Sequence, residues 1–327
     1  MNRKFSIFIL VFCCLKSAYG QVVVNENKTL IHTADSLFEI GDFQQSSRMY
    51  RNAFSKGKAA NPIDLYKAGV AFARTPEIDT AFHYFNHLIK YKKYSIVESL
   101  PSDSNLVYLH SDERWPILLE QLIDLKNFVE KDMNLELKAA LELVFEEDQK
   151  YRSLFRAIED QFGRDSDEFK NILSNQRHMD SLNQIVVLNV LDKYGWLGKE
   201  IVGEKGNSVL FMVIQHADLP IQKKYLPMMK LAVQNGDAAI IDLVKLEDRI
   251  AAREGRKQTY GSQIFTNPET GEQYVYPVRN PELLDERRRS IGLLAMEEYL
   301  SYYTLEWDVE KHKALTKRME AKGTVIP

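Results

Sequence analysis

Residues 176–218, QRHMDSLNQIVVLNVLDKYGWLGKEIVGEKGNSVLFMVIQHAD, decide the fold of the second half of the chain. Together with the segment before them, they predict one long helix that ends at Gly195-Trp196. At 100° per residue its apolar positions share one face, which carries Phe169, Ile172, Leu173, Met179, Val187, Val190 and Leu191. Gln176, Asp180 and Asn183 fall on that same face. Because buried polar groups are costly without partners, the pattern predicts a polar cluster inside the domain.

The remainder of this stretch predicts two further helices. Residues 202–206 contain two glycines and are expected to form a loop, which lacks the spacing of a phosphate-binding loop. Val209 to Ile214 is apolar on all sides, which is typical of the most buried helix of a domain. Asp218 is expected to cap the next helix, Leu219 to Asn235, with Pro220 in its first turn.

Another helix with an interrupted apolar face precedes this stretch. Residues 135–161 predict one helix, and Asp148 lies near the middle of its apolar face. Arg152 follows four residues later and is placed to pair with Asp148 across one helical turn. Two neighbouring helices therefore each direct polar groups inward, which strengthens the prediction of a polar cluster.

The chain changes character after a helix predicted over residues 237–253. Two short β-prone runs, 258–265 and 272–277, flank a segment rich in turn residues and predict a β-hairpin. A helical tail is expected to open at Asn280-Pro281. Residues 311–327 are charged and are expected to form a flexible tail.

Short motifs in this region occur in a specific order. They are Asp148-Gln149 with Arg152, Asp180 with Asn183, Gly195-Trp196, Gly203, Gln215-His216-Ala217-Asp218, Asp248-Arg249, Tyr260-Gly261-Ser262-Gln263 and Asp285-Glu286-Arg287-Arg288. This order resembles a bacterial family catalogued as domain of unknown function 6624, over roughly residues 130–305. Leu197 stands where the family often has proline, a departure that affects only the shape of that turn. The resemblance implies one helical domain, expected over residues 129–310, and implies no particular activity.

Residues 28–93 predict helical hairpins that resemble tetratricopeptide repeats. The matching positions are Ala34, Leu37, Tyr50 and Phe54 in the first unit and Leu65, Gly69, Phe72, Ala81, Phe85 and Leu88 in the second. Small residues at such positions let two helices approach, and aromatic residues fill the space between successive units. Ser46 and Pro76 depart from the usual alanine and turn glycine, and Ile117 to Val129 is expected to form a closing helix. The expected fold class is therefore mainly α: a short helical-hairpin solenoid over residues 21–128, then a helical domain with a small β-hairpin near its C-terminal end.

The first 20 residues predict a signal peptide. Met1 to Lys4 is basic, Phe5 to Leu15 is apolar but too short to span a bilayer, and Ala18-Tyr19-Gly20 offers small residues for cleavage. We expect a mature chain that begins at Gln21 and is periplasmic or secreted. Both cysteines of the chain lie in this segment, so the mature chain would have neither a disulfide nor a thiol nucleophile.

Composition and charge argue against two classes of function. The chain is 45% hydrophobic and 27% charged, which is typical of a globular protein. Its net charge of -3 gives no sign of the basic face that nucleic-acid-binding proteins carry. No run after the signal peptide is apolar and long enough to cross a bilayer. We therefore expect no nucleic-acid partner and no membrane span after signal removal.

The inward polar residues are the candidates for function. His216, Asp148 and Asp180 form the candidate catalytic set, with His216 as a general base. The candidate ligand-binding residues are Arg152, Gln176, Asn183, Gln215, Asp218, Asp248, Arg249, Tyr260 and Gln263.

The same residues have structural interpretations that the sequence leaves open. His216 suits the C-terminus of a helix, where the dipole favours a cation, and Asp218 suits a helix cap. The sequence favours a buried ion pair for Asp148–Arg152 over a substrate clamp, and a salt bridge between helices for Asp248–Arg249. The Tyr260–Gln263 motif either lines a pocket or anchors the hairpin.

Catalytic signatures of the common kinds are missing from the sequence. We expect no metal ion and no cofactor, because there is no histidine pair at ligand spacing, no cysteine in the mature chain and no EF-hand register. Cleavage of glycosides by Asp148 and Asp180 would depend on their separation in space. The expected function is therefore a binding or interaction protein that uses residues 28–128 for a protein or peptide partner, together with a polar pocket. The alternatives are an envelope-directed hydrolase that uses His216 with Asp148 and Asp180, and a purely structural polar core.

Overall fold

The computed structural model describes residues 29–55, 61–267, 270–303 and 305–323. The predicted signal peptide lies outside the described residues. The chain is mainly α-helical with a small antiparallel β-hairpin near its C-terminal end, as the sequence predicts. It divides between Lys131 and Asp132 into two compact units.

Helical hairpins make up the first unit. Its helices are α1 (29–39), α2 (Phe43–Ser55), α3 (Pro62–Ala73), α4 (Ile78–Lys90), α5 (Tyr94–Val97) and α6 (Arg114–Glu130), with 3-10 turns at Leu100–Ser102 and Ser104–Leu109. Asn61 caps α3 by accepting a hydrogen bond from the Ile63 N–H, and Pro62 takes the first helical position. The buried hydroxyl of Ser46 donates to the Ala34 carbonyl and so ties α2 to α1.

Close helix packing in this unit depends on one glycine. Gly69 on α3 faces Phe85 on α4, and an added Cβ would lie 2.6 Å from a carbon of the aromatic ring. Aromatic side chains join the two hairpins, since Phe54 contacts Tyr84 edge-on with ring centroids 5.8 Å apart. A small residue between two helices and aromatic rings between hairpins therefore fill the unit densely.

The second unit contains the long helices. They are α7 (Leu135–Arg152), α8 (Phe155–Phe162), α9 (Asp167–Tyr194), α10 (Lys199–His216), α11 (Leu219–Asn235) and α12 (Ile240–Arg253). The predicted helix ends agree with the capping residues: Ser166 and Asp218 accept hydrogen bonds from the first turns of α9 and α11. Gly195 and Gly236 end the same two helices at positive φ.

Five of these helices share one hydrophobic core. Leu141 and Val144 of α7 meet Val187 and Leu191 of α9 and the apolar face of α10. Residues of α11 and α12, among them Tyr225, Met229, Leu246 and Ile250, complete the core. The segment Val209–Ile214 lies largely buried in this core, as its all-round apolar character predicts.

The expected loop at residues 202–206 is shorter than predicted, because only Gly203 leaves the helical conformation within α10. Gly203 adopts φ 73° and ψ 168°, which interrupts the helix and leaves two helical stretches joined at a kink. Gly206 permits close packing of α10 on α7, since an added Cβ would lie 3.5 Å from the Leu141 Cβ. Gly203 therefore allows a kink in α10, and Gly206 allows the contact between α10 and α7.

The single helix expected over residues 135–161 is also wrong, because the chain forms α7 and α8 with a break between them. The Leu154 N–H bonds to the Tyr151 carbonyl, a tight turn that ends α7. The hydroxyl of Ser153 donates to the Lys150 carbonyl and competes with the helical ladder. Periodicity alone does not show this competition.

The C-terminal part forms a third small cluster. The strands β1 (Ile264–Thr266) and β2 (Gln273–Val275) pair in an antiparallel hairpin, which is shorter than the predicted runs. A 3-10 turn (Pro281–Leu283) and the helices α13 (Leu284–Ser290), α14 (Met296–Ser301) and α15 (Val309–Ala321) follow.

Within the tail expected to be flexible, residues 311–321 are instead helical, because α15 packs onto the domain. His312 is buried, and its Nε2 accepts a hydrogen bond from the Val278 N–H at 3.0 Å. Over the described parts of the chain, every helix is too short or too polar to cross a membrane.

Candidate functional site

Polar residues enter the core at regular intervals along α9. Phe169, Gln176, Asn183 and Val190 lie seven residues apart and are all buried. A spacing of seven returns to the same helix face, so the two amides sit where apolar side chains are expected. The prediction that polar groups of this face point inward is therefore confirmed for Gln176 and Asn183, whereas the Asp180 side chain is 30% exposed.

Asp148 and Arg152 on α7 form the centre of the polar cluster. The Asp148 side chain is 1% exposed, and its Oδ2 accepts hydrogen bonds from Arg152 Nε at 3.1 Å and Gln149 Nε2 at 2.8 Å. Arg152 Nη2 also donates to Asp148 Oδ1 at 3.3 Å and to Asp180 Oδ1 at 2.5 Å. One guanidinium thus joins the two carboxylates, which come from different helices.

The last turn of α10 brings His216 to this cluster. His216 Nδ1 lies 3.4 Å from Asp148 Oδ1, without the alignment of a hydrogen bond. Within the described chain, the buried Nδ1 has no hydrogen-bond partner. Burial raises the pKa of Asp148, but the neighbouring His216 and Arg152 outweigh burial and leave this pKa below its usual value. Asp148 is therefore a carboxylate within ion-pair distance of an imidazole nitrogen to which it makes no aligned hydrogen bond.

An open cavity of about 260 Å³ adjoins these groups. Its walls are formed by Asp148, Arg177, Asp180, Ser181, Asn183, Gln184, Val213, His216, Ala217 and Asp218. The cavity thus collects all three candidate catalytic residues, together with Asn183 and Asp218 from the candidate ligand-binding set. Asp218 also caps α11, accepting from the Ile221 N–H at 3.1 Å.

Three polar residues of the cavity wall were missed by the sequence reasoning. Arg177, Ser181 and Gln184 follow one another at helical spacing along α9, next to the row of Gln176, Asp180 and Asn183. Such a row on an amphipathic helix is ordinarily a solvated face. Only their spacing of three and four residues beside the inward polar row could have indicated them.

Gln176 and Gln215 lie beside the cavity without lining it. Gln176 Nε2 donates to Asp180 Oδ1 at 2.7 Å. The Gln215 carbonyl accepts from Gln222 Nε2 and from Arg249 Nη1, each at 2.9 Å. The side-chain Oε1 atoms of both Gln176 and Gln215 are buried and have no hydrogen-bond partner among the described residues.

The predicted salt bridge between helices at Asp248–Arg249 is wrong, because the two side chains bind other groups. Asp248 accepts from the backbone N–H groups of Thr259, Tyr260 and Ser262 at 2.7–3.1 Å. Burial raises the pKa of Asp248, and these hydrogen bonds oppose that rise. Asp248 therefore shapes the loop of residues 259–262.

Arg249 connects this loop to the last turn of α10. Its Nε donates to Gln263 Oε1 at 3.2 Å, while its Nη1 holds the Gln215 carbonyl. Burial lowers the pKa of Arg249, as do the charges of Arg253 and Arg152. The Tyr260 carbonyl accepts from Arg288, so Tyr260 and Gln263 anchor the loop and do not line the cavity.

The cluster also has the composition of a metal site, which the sequence did not indicate. Asp148, Asp180 and His216 each offer one ligand atom, and these atoms all lie within 4.8 Å of one another. The three residues come from α7, α9 and α10, so no spacing rule along the chain could join them.

Comparison with known protein families identifies the family to which this region is similar. A family model described as a family of unknown function (DUF6624) matches residues 136–309, more than half of the chain. The chain belongs to the DUF6624 family. The DUF6624 region contains every residue that lines the cavity. No curated protein and no solved structure matches this chain.

Proposed function

We propose that this protein is an exported binding protein whose DUF6624 domain takes a small polar ligand in the cavity beside Asp148, Asp180 and His216. One observation carries the proposal: a cavity open to solvent meets a buried imidazole nitrogen that has no hydrogen-bond partner among the described residues. Buried polar atoms are almost always paired in proteins, so an unpaired one beside an open cavity favours a ligand that completes it.

The charges of the cavity wall indicate the chemistry of the ligand. Three carboxylates, those of Asp148, Asp180 and Asp218, line the cavity with one arginine, Arg177. This balance favours a ligand that carries a positive charge, such as an amino sugar or a peptide amine. The volume of about 260 Å³ lies just below the usual range for small-molecule sites, which favours a small ligand.

A cavity-filling variant tests this proposal. Ser181→Phe places a bulky ring at the cavity wall, and Ser174→Phe on the same helix serves as the control because Ser174 is exposed away from the cavity. We expect amino sugars or short peptides to raise the melting temperature of the parent and of Ser174→Phe, but not of Ser181→Phe. Ligands that stabilise all three proteins equally would contradict the proposal, and so would a broad panel that stabilises none of them.

An envelope-directed hydrolase is the second candidate, favoured by the approach of His216 Nδ1 to Asp148 Oδ1. In such an enzyme the carboxylate orients the imidazole, which then takes a proton from the attacking water. We expect cleavage of envelope glycans or peptides by the parent and at least a hundredfold slower cleavage by His216→Gln, a typical loss for removal of a general base. Equal rates for the parent and the variant would exclude His216 as the base.

The first unit is proposed to bind a protein or peptide partner through residues 28–128, as a module resembling tetratricopeptide repeats. Its close-packed hairpins support the proposal, and so does α6, where Ile117, Ile123 and Phe128 are each more than half exposed. We expect Ile123→Asp to abolish cross-linking to an envelope protein that the parent captures. Unchanged cross-linking would place the partner elsewhere.

Export is proposed from the N-terminal sequence, with a mature chain that begins at Gln21. We expect mass spectrometry of the protein recovered from the periplasm or medium to show Gln21 as its first residue. An intact N-terminus on a protein retained in the cytoplasm would contradict export.

A further inference from the structure

We infer that Asp148, Asp180 and His216 bind a divalent transition-metal ion, with Zn²⁺ as the ion that their chemistry fits. The inference deepens the proposed function, since it rests on the same cavity being a ligand site. Carboxylate oxygen and imidazole nitrogen are ordinary Zn²⁺ ligands, and three protein ligands with an open fourth position are typical of a site that takes water or substrate.

The distances support a shared ion. Tetrahedral Zn²⁺ with bonds of about 2.0–2.1 Å places its ligand atoms about 3.4 Å apart. His216 Nδ1 and Asp148 Oδ1 are already 3.4 Å apart, and the ligand atoms of the whole set lie within 4.8 Å of one another. Asp180 closes the remaining gap by a side-chain movement, which its 30% exposed carboxylate allows.

The hydrogen bonds within the cluster leave one oxygen of Asp148 and one oxygen of Asp180 available to a metal ion. Oδ2 of Asp148 is held by Arg152 and Gln149, while its Oδ1 has only the longer contacts with Arg152 and His216. Asp180 receives its bonds on Oδ1, and its Oδ2 accepts none from the rest of the described chain. Metal-binding carboxylates are commonly oriented in this way, with one oxygen on a protein donor and the other on the ion.

A second observation points to a bound cation independently of the three ligands. Gln176 is 3% exposed, its Nε2 donates to Asp180, and its Oε1 has no hydrogen-bond partner among the described residues. A buried amide oxygen beside a carboxylate is costly unless a donor or cation satisfies it. The unpaired oxygen therefore favours a cation or a water molecule in the space next to Asp180.

Arg152 is the group that a metal ion must accommodate. Its guanidinium donates to both carboxylates and holds them together when no ion is present. When Zn²⁺ binds, Arg152 keeps Oδ2 of Asp148 through Nε and gives up Asp180.

Calorimetric titration of the tag-free, chelator-treated full chain with ZnCl₂ tests the inference. We expect one Zn²⁺ per chain, with binding weakened at least about tenfold by Asp180→Asn and by His216→Gln. Two matched controls should bind within about threefold of the parent because they lie outside the ligand set. They are Asp218→Asn, which removes a carboxylate of the same cavity while keeping a capping residue, and His178→Gln, which removes an exposed histidine.

Three outcomes would overturn the metal site: no saturable binding by the parent, unchanged binding by both site variants, or an equal loss in Asp218→Asn. Circular dichroism of each variant establishes that it is folded. The ligand screen with Ser181→Phe, repeated in EDTA, separates the two proposals, because a small organic ligand that still binds there would leave the proposed function standing without the metal.

Discussion

Replacing Arg152 with methionine is expected to lower the free energy of unfolding at pH 7 by about 3 kcal/mol. The substitution keeps an unbranched apolar stem and removes the guanidinium with its charge. Asp148, only 1% exposed, then loses the donors at 3.1 and 3.3 Å and keeps Gln149 as its hydrogen-bond donor. A buried carboxylate without a cation retains most of its desolvation cost, which is the source of the loss.

The magnitude follows from the number and type of bonds removed. Each hydrogen bond to a charged group contributes roughly 1.5–3 kcal/mol, and partial exposure of Arg152 reduces the total. Asp148→Asn alone should cost less, about 1–2 kcal/mol, since the amide fills the same space and Arg152 keeps Asp180. In the Asp148→Asn background, Arg152→Met should lower the free energy of unfolding by about 2 kcal/mol less than in the parent. The reason is that the buried side chain at position 148 then carries no charge that needs a cation.

Urea unfolding of the four proteins in EDTA, followed by circular dichroism, measures this cycle. Arg177→Met is the matched control, because Arg177 lies on the cavity wall but is exposed, and its loss should change stability by no more than about 0.5 kcal/mol. Strict additivity of the two site substitutions would refute the reasoning. So would an Arg152→Met variant as stable as Arg177→Met.

Three further predictions concern other parts of the fold. Burial lowers the pKa of His312 from 6.5 to about 4. Between pH 6.5 and pH 4 the imidazole is therefore protonated in the unfolded chain but neutral in the folded chain. The parent should therefore lose about 3 kcal/mol as the pH falls from 6.5 to 4, and His312→Gln should remove this dependence. Gly69→Ala should destabilise the first unit by about 1–3 kcal/mol because its Cβ would overlap the ring of Phe85, despite the better helix propensity of alanine. Gly203→Ala should cost about 1–3 kcal/mol because residues with a Cβ avoid φ 73° with ψ 168°.

Urea unfolding, repeated across pH for His312→Gln, measures these effects. His178→Gln is the control for the pH series, since His178 is exposed. An unchanged pH profile in His312→Gln would show that α15 does not bury this ring. Variants at Gly69 or Gly203 that are as stable as the parent would show that the surrounding helices yield to the added methyl group.

Helix termini and the inward polar row could be predicted from the sequence because both depend on local rules. Asp218, Gly195 and Gly236 mark helix ends through capping and positive φ, which adjacent residues determine. Gln176 and Asn183 interrupt an apolar stripe of regular period, so their burial follows from that period.

Long-range pairing explains what the sequence could not show. The carboxylate of Asp248 binds backbone N–H groups 11–14 residues away, which no pattern of side chains records. The cluster of Asp148, Asp180 and His216 joins three helices, and these residues have no fixed spacing along the chain. The burial of α15 likewise depends on the Val278 N–H, which is 34 residues from His312.

The two walls of the cavity differ in freedom to move. Arg249 and Arg253 of α12 donate to the Gln215 and Ala217 carbonyls, so the backbone on either side of His216 is clamped. The opposite wall is formed by the single helix α9, where the side chains of Arg177 and Ser181 are exposed. A ligand of the proposed kind would therefore meet a fixed backbone at His216, and the adjustment to its shape would fall on the rotamers of these α9 side chains.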